Sequence, residues 1–326
     1  MRRKRIKADG GGYYHLVSRC ALKQFLLEDQ DKQVFVGMLR RIAAFSGIDV
    51  LTYCVMSNHF HLLVHVPVQE QLNEESLLSR VAILYGKQRA NDMRVRWHEY
   101  RKANLQSVLE QEKAQLQKRM GDISPFMQIL KQRFCVWYRA HHEGHEGTLW
   151  QGRFGSTLVE GGGSLTAVAA YIDLNPVRAG LVGDPKDYLY SGYGAATAGD
   201  KNAQEGLVKV YGEVTKGKSK ILAAYRSLLY AKGAGSMDSA EVQKVLAKGG
   251  KLPLPSLLRC RIRAMSSGLA IGSRQFTDAI FPQHRYAFSE RRLHAAQGKS
   301  LCPDWDGIQL CAVRHLRKNA ITWPSK

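Results

Sequence analysis

The sequence predicts a mixed α/β fold, with a helical insertion at about residues 69–142 and a basic, mostly helical extension at the end. Three observations carry that expectation. Residues 13–66 read in the order strand, helix, strand, strand. Residues 69–142 turn charged, with apolar positions three and four apart. Beyond a small, polar stretch at 192–206 the chain is again basic and helical in pattern. The expected division is one domain over residues 1–200 and an extension over 205–326, a candidate accessory nucleic-acid-binding module.

Each element has a local reason. Residues 13–19 (YYHLVSR) are aromatic and branched, hence a strand. From Asp31 the apolar positions Val34, Phe35, Met38, Leu39 and Ile42 recur at helical spacing, with Asp29 or Asp31 as cap and Gly47 as stop. Residues 48–56 and 59–66 are two strands joined at Ser57-Asn58, the second closed by Pro67. In the insertion, Leu77, Leu78, Val81, Leu84 and Tyr85 mark one helix. Ser124-Pro125 opens another, along Phe126, Leu130, Phe134 and Trp137. GTLWQGRFGSTLVEGGG reads as strand and loop. Ser164 should cap a helix with a buried stripe of Leu165, Val168, Ala169 and Ile172, ending near Asn175 before Pro176. The stretch 192–206 reads as a linker.

Charge narrows the partner. Lys and Arg number 48 against 28 Asp and Glu, a formal net charge of +20. Such a surplus calls for an anionic partner, nucleic acid before membrane, because no long amphipathic basic helix stands out. No apolar run is long enough to span a bilayer, and the amino terminus lacks the apolar core of a secretory signal. Six scattered cysteines without a CxxC pair fit a reducing cytoplasm. Arg2, Arg3, Lys4 and Arg5 form either a phosphate-binding arm or a solubilising one.

Two constellations can carry chemistry. In a strand, His59 and His61 share one face about 6.6 Å apart along the chain, close enough to hold one metal ion. His65 shares the face but lies about 13 Å beyond His61, too far to join the chelate. An exposed polar strand face is the plainer reading of this pair. Downstream, Tyr171 and Asn175 sit one helical turn apart on one face. Tyr171 lies roughly 110° from the centre of the apolar stripe and should flank the sheet rather than bury in it. An Asn175 amide oxygen beside two imidazoles would suit Mg²⁺ or Mn²⁺ better than a closed zinc site. With fourteen tyrosines in the chain, periodicity alone makes an ordinary flanking aromatic followed by an asparagine cap the better reading of this pair.

The stretches YYHLVSR, YCVMSNHFHLLVHV, GTLWQGRF and YIDLNPVRAGLV, in this order, resemble the REP-associated tyrosine transposases. These belong to the single-tyrosine transposases of the HUH endonuclease superfamily. The resemblance covers residues 13–66 and 147–195. It implies a ferredoxin-like (RRM-like) catalytic domain. It implies His59, His61 and Asn175 as ligands of Mg²⁺ or Mn²⁺, and Tyr171 as the nucleophile on a single-stranded DNA phosphodiester. A 5′-phosphotyrosine would form, and a 3′-hydroxyl would be released. The partner implied is single-stranded or hairpin DNA of palindromic repeats, met by a monomer or homodimer in the cytoplasm. Arg153 and Arg178 fall in matching blocks and are candidate phosphate contacts, as are the basic residues of the arm. The insertion is longer than the family core needs, and residues 205–326 lie outside the match.

Rival readings stay open at this point. A binding protein that kept the fold but lost turnover is one. A metal-dependent phosphohydrolase using water is another. Tyr188, Tyr190 and Tyr193 are rival nucleophiles in what reads as a docking loop. His141, His142 and His145 read as a solvated loop. In the tail, helical patterns at 241–246, 256–265 and 273–281 include or adjoin Lys244, Arg259, Arg261, Arg263 and Arg274.

Overall fold

The computed structural model describes residues 5–8, 10–211, 218–233, 268–285 and 310–314. The chain runs β1 (Gly12–Arg19), α1 (Asp29–Ser46), β2 (Asp49–Val55), β3 (His59–Val66), α2 (Glu74–Tyr85), α3 (Lys87–Lys102), α4 (Gln106–Gln117), α5 (Ile123–His141) and β4 (Gly155–Val159). It continues with α6 (Gly163–Asp173), α7 (Asn175–Arg178), α8 (Gly192–Thr197), α9 (Lys201–Tyr211), α10 (Lys218–Gly233), β5 (Gly268–Gly272), α11 (Arg274–Gln283) and β6 (Cys311–Arg314). Arg2, Arg3, Lys4, Lys244, Arg259, Arg261 and Arg263 lie outside the described residues. Among the described residues no helix is long and apolar enough to cross a membrane.

The strands form one sheet in the order β2-β3-β1-β4-β5-β6. β3 runs antiparallel between β1 and β2, and β4 is antiparallel to β1. The first four strands thus have the ferredoxin-like arrangement, with α1 and α5 as its two crossover helices. β3 divides the layers by its alternation. Phe60 packs on Phe35 of α1 at 4.6 Å between ring centroids, and Phe35 meets Phe134 of α5 at 5.1 Å. The alternate residues of β3 face α6, on the other side of the sheet.

The first helix stops where its sequence signals put it, but its N-cap is Glu28 rather than Asp29 or Asp31. Glu28 and Asp31 form a reciprocal capping box, and Gly47 ends the helix at φ 64°, where a side chain would be strained. Other starts differ. α5 is capped by Asp122, whose carboxylate accepts from the Ser124 amide, not by Ser124 itself. α6 starts from Gly162 with no side-chain cap, and Ser164 lies inside the helix. Leu174 keeps helical angles (φ −87°, ψ −3°), so the chain passes straight into α7, with Pro176 in its first turn.

Three larger readings are corrected. The segment 69–142 is not all insertion, because α5 is a core helix of the ferredoxin-like unit and only α2–α4 are added to it. Residues 192–206 are not a linker. They form α8 and the first half of α9, and Gly192, Tyr193 and Gly206 are buried there. The extension also supplies strands: β5 lies parallel to β4, and β6 pairs with β5. Thr157 of β4 donates to the Gly268 carbonyl at 2.8 Å across that seam. The amino-terminal arm is docked where it is described. Arg5 lies over the Phe154 ring at 3.8 Å, and Lys7 pairs with Asp122.

Candidate active site

The pairing of β1 with β3 sets the site. Val17 lies opposite His61 and Arg19 opposite His59. His15 is therefore the diagonal neighbour of His61 on the same face. His15 Nε2 and His61 Nδ1 share a hydrogen bond of 2.8 Å, with the rings stacked at 5.0 Å. His59 and His61 meet edge to face at 5.0 Å. Both His15 and His61 are buried.

Tyr171 reaches this cluster from α6. Its ring lies 5.9 Å from His15 and 5.7 Å from His61, edge-on to both. The Arg178 guanidinium of α7 lies 4.8 Å from the Tyr171 ring centroid. Tyr171 is only 6 % exposed, so the expectation that it would merely flank the sheet is wrong. Helical angle alone placed it beside the stripe, but the imidazole face of the sheet and Arg178 enclose its ring.

Electrostatics keep the imidazoles neutral. Burial, and then the charge of Arg19, pull His59 down to about 4. Burial, reinforced by His15, His59, Arg19 and Arg178, holds His61 well below the usual histidine range. Neutral imidazole is the form that binds metal. The Asn58 amide donates to the Lys23 carbonyl at 3.4 Å, which turns its Oδ1 toward His59 Nδ1 at 2.5 Å. An amide oxygen only accepts, so His59 carries its proton on Nδ1 and a lone pair on Nε2. His61 Nδ1 is tied to His15 Nε2, and with His15 as the acceptor the His61 lone pair is likewise on Nε2. Metal-bound histidines are usually fixed through the other ring nitrogen, so both fit a metal at Nε2. Asn175 Nδ2 donates to the Tyr171 and Ile172 carbonyls at 3.0 and 3.3 Å, leaving Oδ1 as the ligand-type atom. Among the described residues no group of three or more His, Cys, Asp or Glu side chains is arranged to hold a metal. The donor set expected here is two imidazoles and an amide.

Asp173, two residues past Tyr171, pins α6 down. Its carboxylate accepts from Thr52 Oγ1 at 2.9 and 3.0 Å, from Tyr225 Oη at 2.6 Å and from the Tyr193 amide at 3.1 Å. Burial raises its pKa to about 6, against the lowering effect of these donors.

The remaining sequence candidates separate clearly. His65 is bonded to Asp49 at 3.0 Å and tilts against Tyr13 at 4.8 Å. Tyr188 donates to the Val55 carbonyl at 2.7 Å, and Tyr193 lies 3.2 Å from Arg226. Both are buried, so the stretch around them is packed structure rather than a docking loop. Arg153 is exposed, and its charge acts on Arg5, whose pKa falls through burial and then Arg153. The histidine-rich turn is not simply solvated. His142 bonds Asp31 at 2.7 Å and stacks on Tyr138 at 3.9 Å, while His145 Nε2 is buried with no hydrogen-bond partner among the described residues.

Sequence reasoning missed His15, Arg19 and Asp173. His15 and Arg19 have the same parity in one strand, but nothing local says which strand lies beside them. Comparison with known proteins gives one family: residues 10–112 match the model described as "Transposase IS200 like". That span contains His15, His59 and His61 but ends before Tyr171. No curated protein matches the chain. Among solved structures, the REP-associated tyrosine transposase bound to a REP hairpin is similar at 14 % identity, with a TM-score of 0.40 over 61 % of this chain and 87 % of that one.

Proposed function

With residues 10–112 matching the IS200-like transposases, we propose that this chain is a metal-dependent single-stranded DNA endonuclease and strand transferase with Tyr171 as its nucleophile. The observation that carries the reading is the convergence of Tyr171, His61 and His15 on one buried face, from α6, β3 and β1. His59 and His61, with Asn175, would hold Mg²⁺ or Mn²⁺, which supplies Lewis-acid polarisation of the scissile phosphate.

The chain's own groups do the rest. Tyrosine ionises near pH 10 in water and is a poor nucleophile while protonated. The Arg178 guanidinium, 4.8 Å from the ring centroid, sets a positive charge beside the attacking group. Attack of Tyr171 Oη on phosphorus forms a 5′-phosphotyrosine ester and expels a 3′-hydroxyl. The ester keeps the energy of the broken bond, so a 3′-hydroxyl can reverse the step without ATP. The two histidines and the tyrosine come from one chain, which favours action in cis. By analogy with the similar solved protein, hairpin DNA is the proposed partner.

The test is a covalent protein–DNA band on a denaturing gel. Wild type should form it with single-stranded or hairpin substrate, and Tyr171→Phe should not, while still binding DNA. An adduct that survives in Tyr171→Phe refutes the assignment. Cleavage without any adduct would point to water as the nucleophile, and binding without cleavage to a protein that has lost turnover.

A further inference from the structure

On the opposite side of the sheet from Tyr171, α1, α2 and α5 enclose a cleft of about 490 Å³. That is within the usual range of ligand sites, about 300–1,000 Å³. Its polar lining is Arg41, Arg119, Gln132 and Arg133 together with the Tyr85 hydroxyl, and no carboxylate is among the lining residues. The floor is apolar, with Met38, Leu84 and Ile129, and Val136 at the rim is 66 % exposed.

Two of the three cations are held in place by one ring. The guanidinium of Arg133 lies 4.8 Å from the Tyr85 centroid and that of Arg119 lies 5.5 Å from it. Arg119 also donates to the Tyr85 hydroxyl. Each guanidinium is attracted to the ring, and together they concentrate positive charge at one place. Three arginines of the neighbouring helix contrast with these. Arg94, Arg96 and Arg101 of α3 all meet glutamates. Among the described residues no ion pair is formed by Arg41, Arg119 or Arg133.

We propose that this cleft is a second DNA-binding site, which takes the sugar-phosphate backbone of single-stranded DNA outside the cleaved segment. Arginine forks match phosphate oxygens, and guanidinium groups already fixed on an aromatic ring lose little freedom on binding. The apolar floor suits the sugar and base attached to such a phosphate. Two of the helices are core elements, α1 and α5. The third wall, α2, and Arg119 belong to the added helical segment, which gives that segment a role. The site does not depend on the nucleophile.

The experiment measures binding of a labelled oligothymidylate across a salt series. Replacing Arg41, Arg119 and Arg133 together by Gln should flatten the slope of log K against log salt by about 2, from about 0.7 per lost contact. Affinity should fall about 100-fold at about 0.1 M salt. A control triple at Lys87, Arg89 and Lys118, exposed lysines and arginine outside the cleft, removes the same charge. Equal shifts in both triples would overturn the proposal, as would an unchanged slope in the cleft triple. Val136→Glu, at an exposed position that tolerates the change, places a carboxylate at the rim and should also weaken binding. Full affinity in that variant would count against the site even if the triple folded poorly. Adduct formation on an oligonucleotide limited to the cleavage site should be unchanged in all these variants. Its absence in wild type would instead refute the nucleophile assignment.

Discussion

Asp173 is the most exacting single test of how the fold holds its tyrosine. Its carboxyl is buried, with a pKa of about 6 set mainly by burial. An unfolded aspartate ionises near 3.9, so the shift is about 2 units, or ~3 kcal/mol against the folded state once the group is charged. Between about pH 4 and 6 the native protein binds the extra proton, so stability falls as pH rises through that window. Asp173→Asn keeps the shape and cannot ionise. It should remove this component, so the wild-type and variant stability curves diverge by ~3 kcal/mol between about pH 4 and 8. Asp173→Ala is a different perturbation. It strips acceptors from the Thr52 and Tyr225 hydroxyls and the Tyr193 amide, at about 1–3 kcal/mol for each donor left unsatisfied. Urea unfolding followed by tryptophan fluorescence, at several pH values, measures both. Parallel wild-type and Asn curves would refute the linkage argument. A loss below ~1 kcal/mol in Ala would refute the claim that Asp173 ties α6 to β2, α8 and α10.

Other outcomes follow from the site. His59→Ala and His61→Ala should each abolish Mg²⁺- or Mn²⁺-dependent adduct formation, whereas His65→Ala should leave it intact, because His65 is bonded to Asp49 and not to the cluster; equal losses at all three would contradict the strand-face geometry. His15→Phe should weaken Mn²⁺ affinity about 10–100-fold by releasing His61 Nδ1, with partial rescue in His15→Gln, as read from the free Mn²⁺ signal by electron paramagnetic resonance. Gly206→Ala should destabilise the fold by about 1–3 kcal/mol in urea titration, since a Cβ there would sit 2.4 Å from the Leu51 carbonyl oxygen.

Much of the geometry of the candidate site was legible in the sequence. Period-two alternation puts His59 and His61 on one face of β3 and leaves His65 out of reach, and both hold in the folded chain. The bounds of β3 and the stop of α1 at Gly47 are equally local, because turn residues and left-handed glycines act within a few positions. Other assignments required contacts the sequence does not contain. Ser164 has the chemistry of a cap, yet Gly162 takes that place because the turn after β4 sets where α6 begins. The Phe126–Trp137 stripe marked a helix, but only its packing on Phe35 shows that α5 belongs to the core and not to the insertion. The small residues of 192–206 looked like a linker because they are small. They are small because helices pack there against β2, where Gly192 and Gly206 leave no room for a Cβ.

By itself, then, the sequence determined the mixed α/β class, the β-α-β-β opening, the shared face of the two histidines and the turn linking Tyr171 to Asn175. The tertiary structure alone decided that His15, 46 residues away, completes the His61 hydrogen bond, and that α6 lies over the imidazole face. It also decided that Asp173 binds Tyr225, and that β5 and β6 extend the sheet. The reason is the range of the forces. Periodicity, caps and turns are set by neighbours in the chain, whereas strand register and the face a helix covers are set by burying surfaces from distant segments against each other.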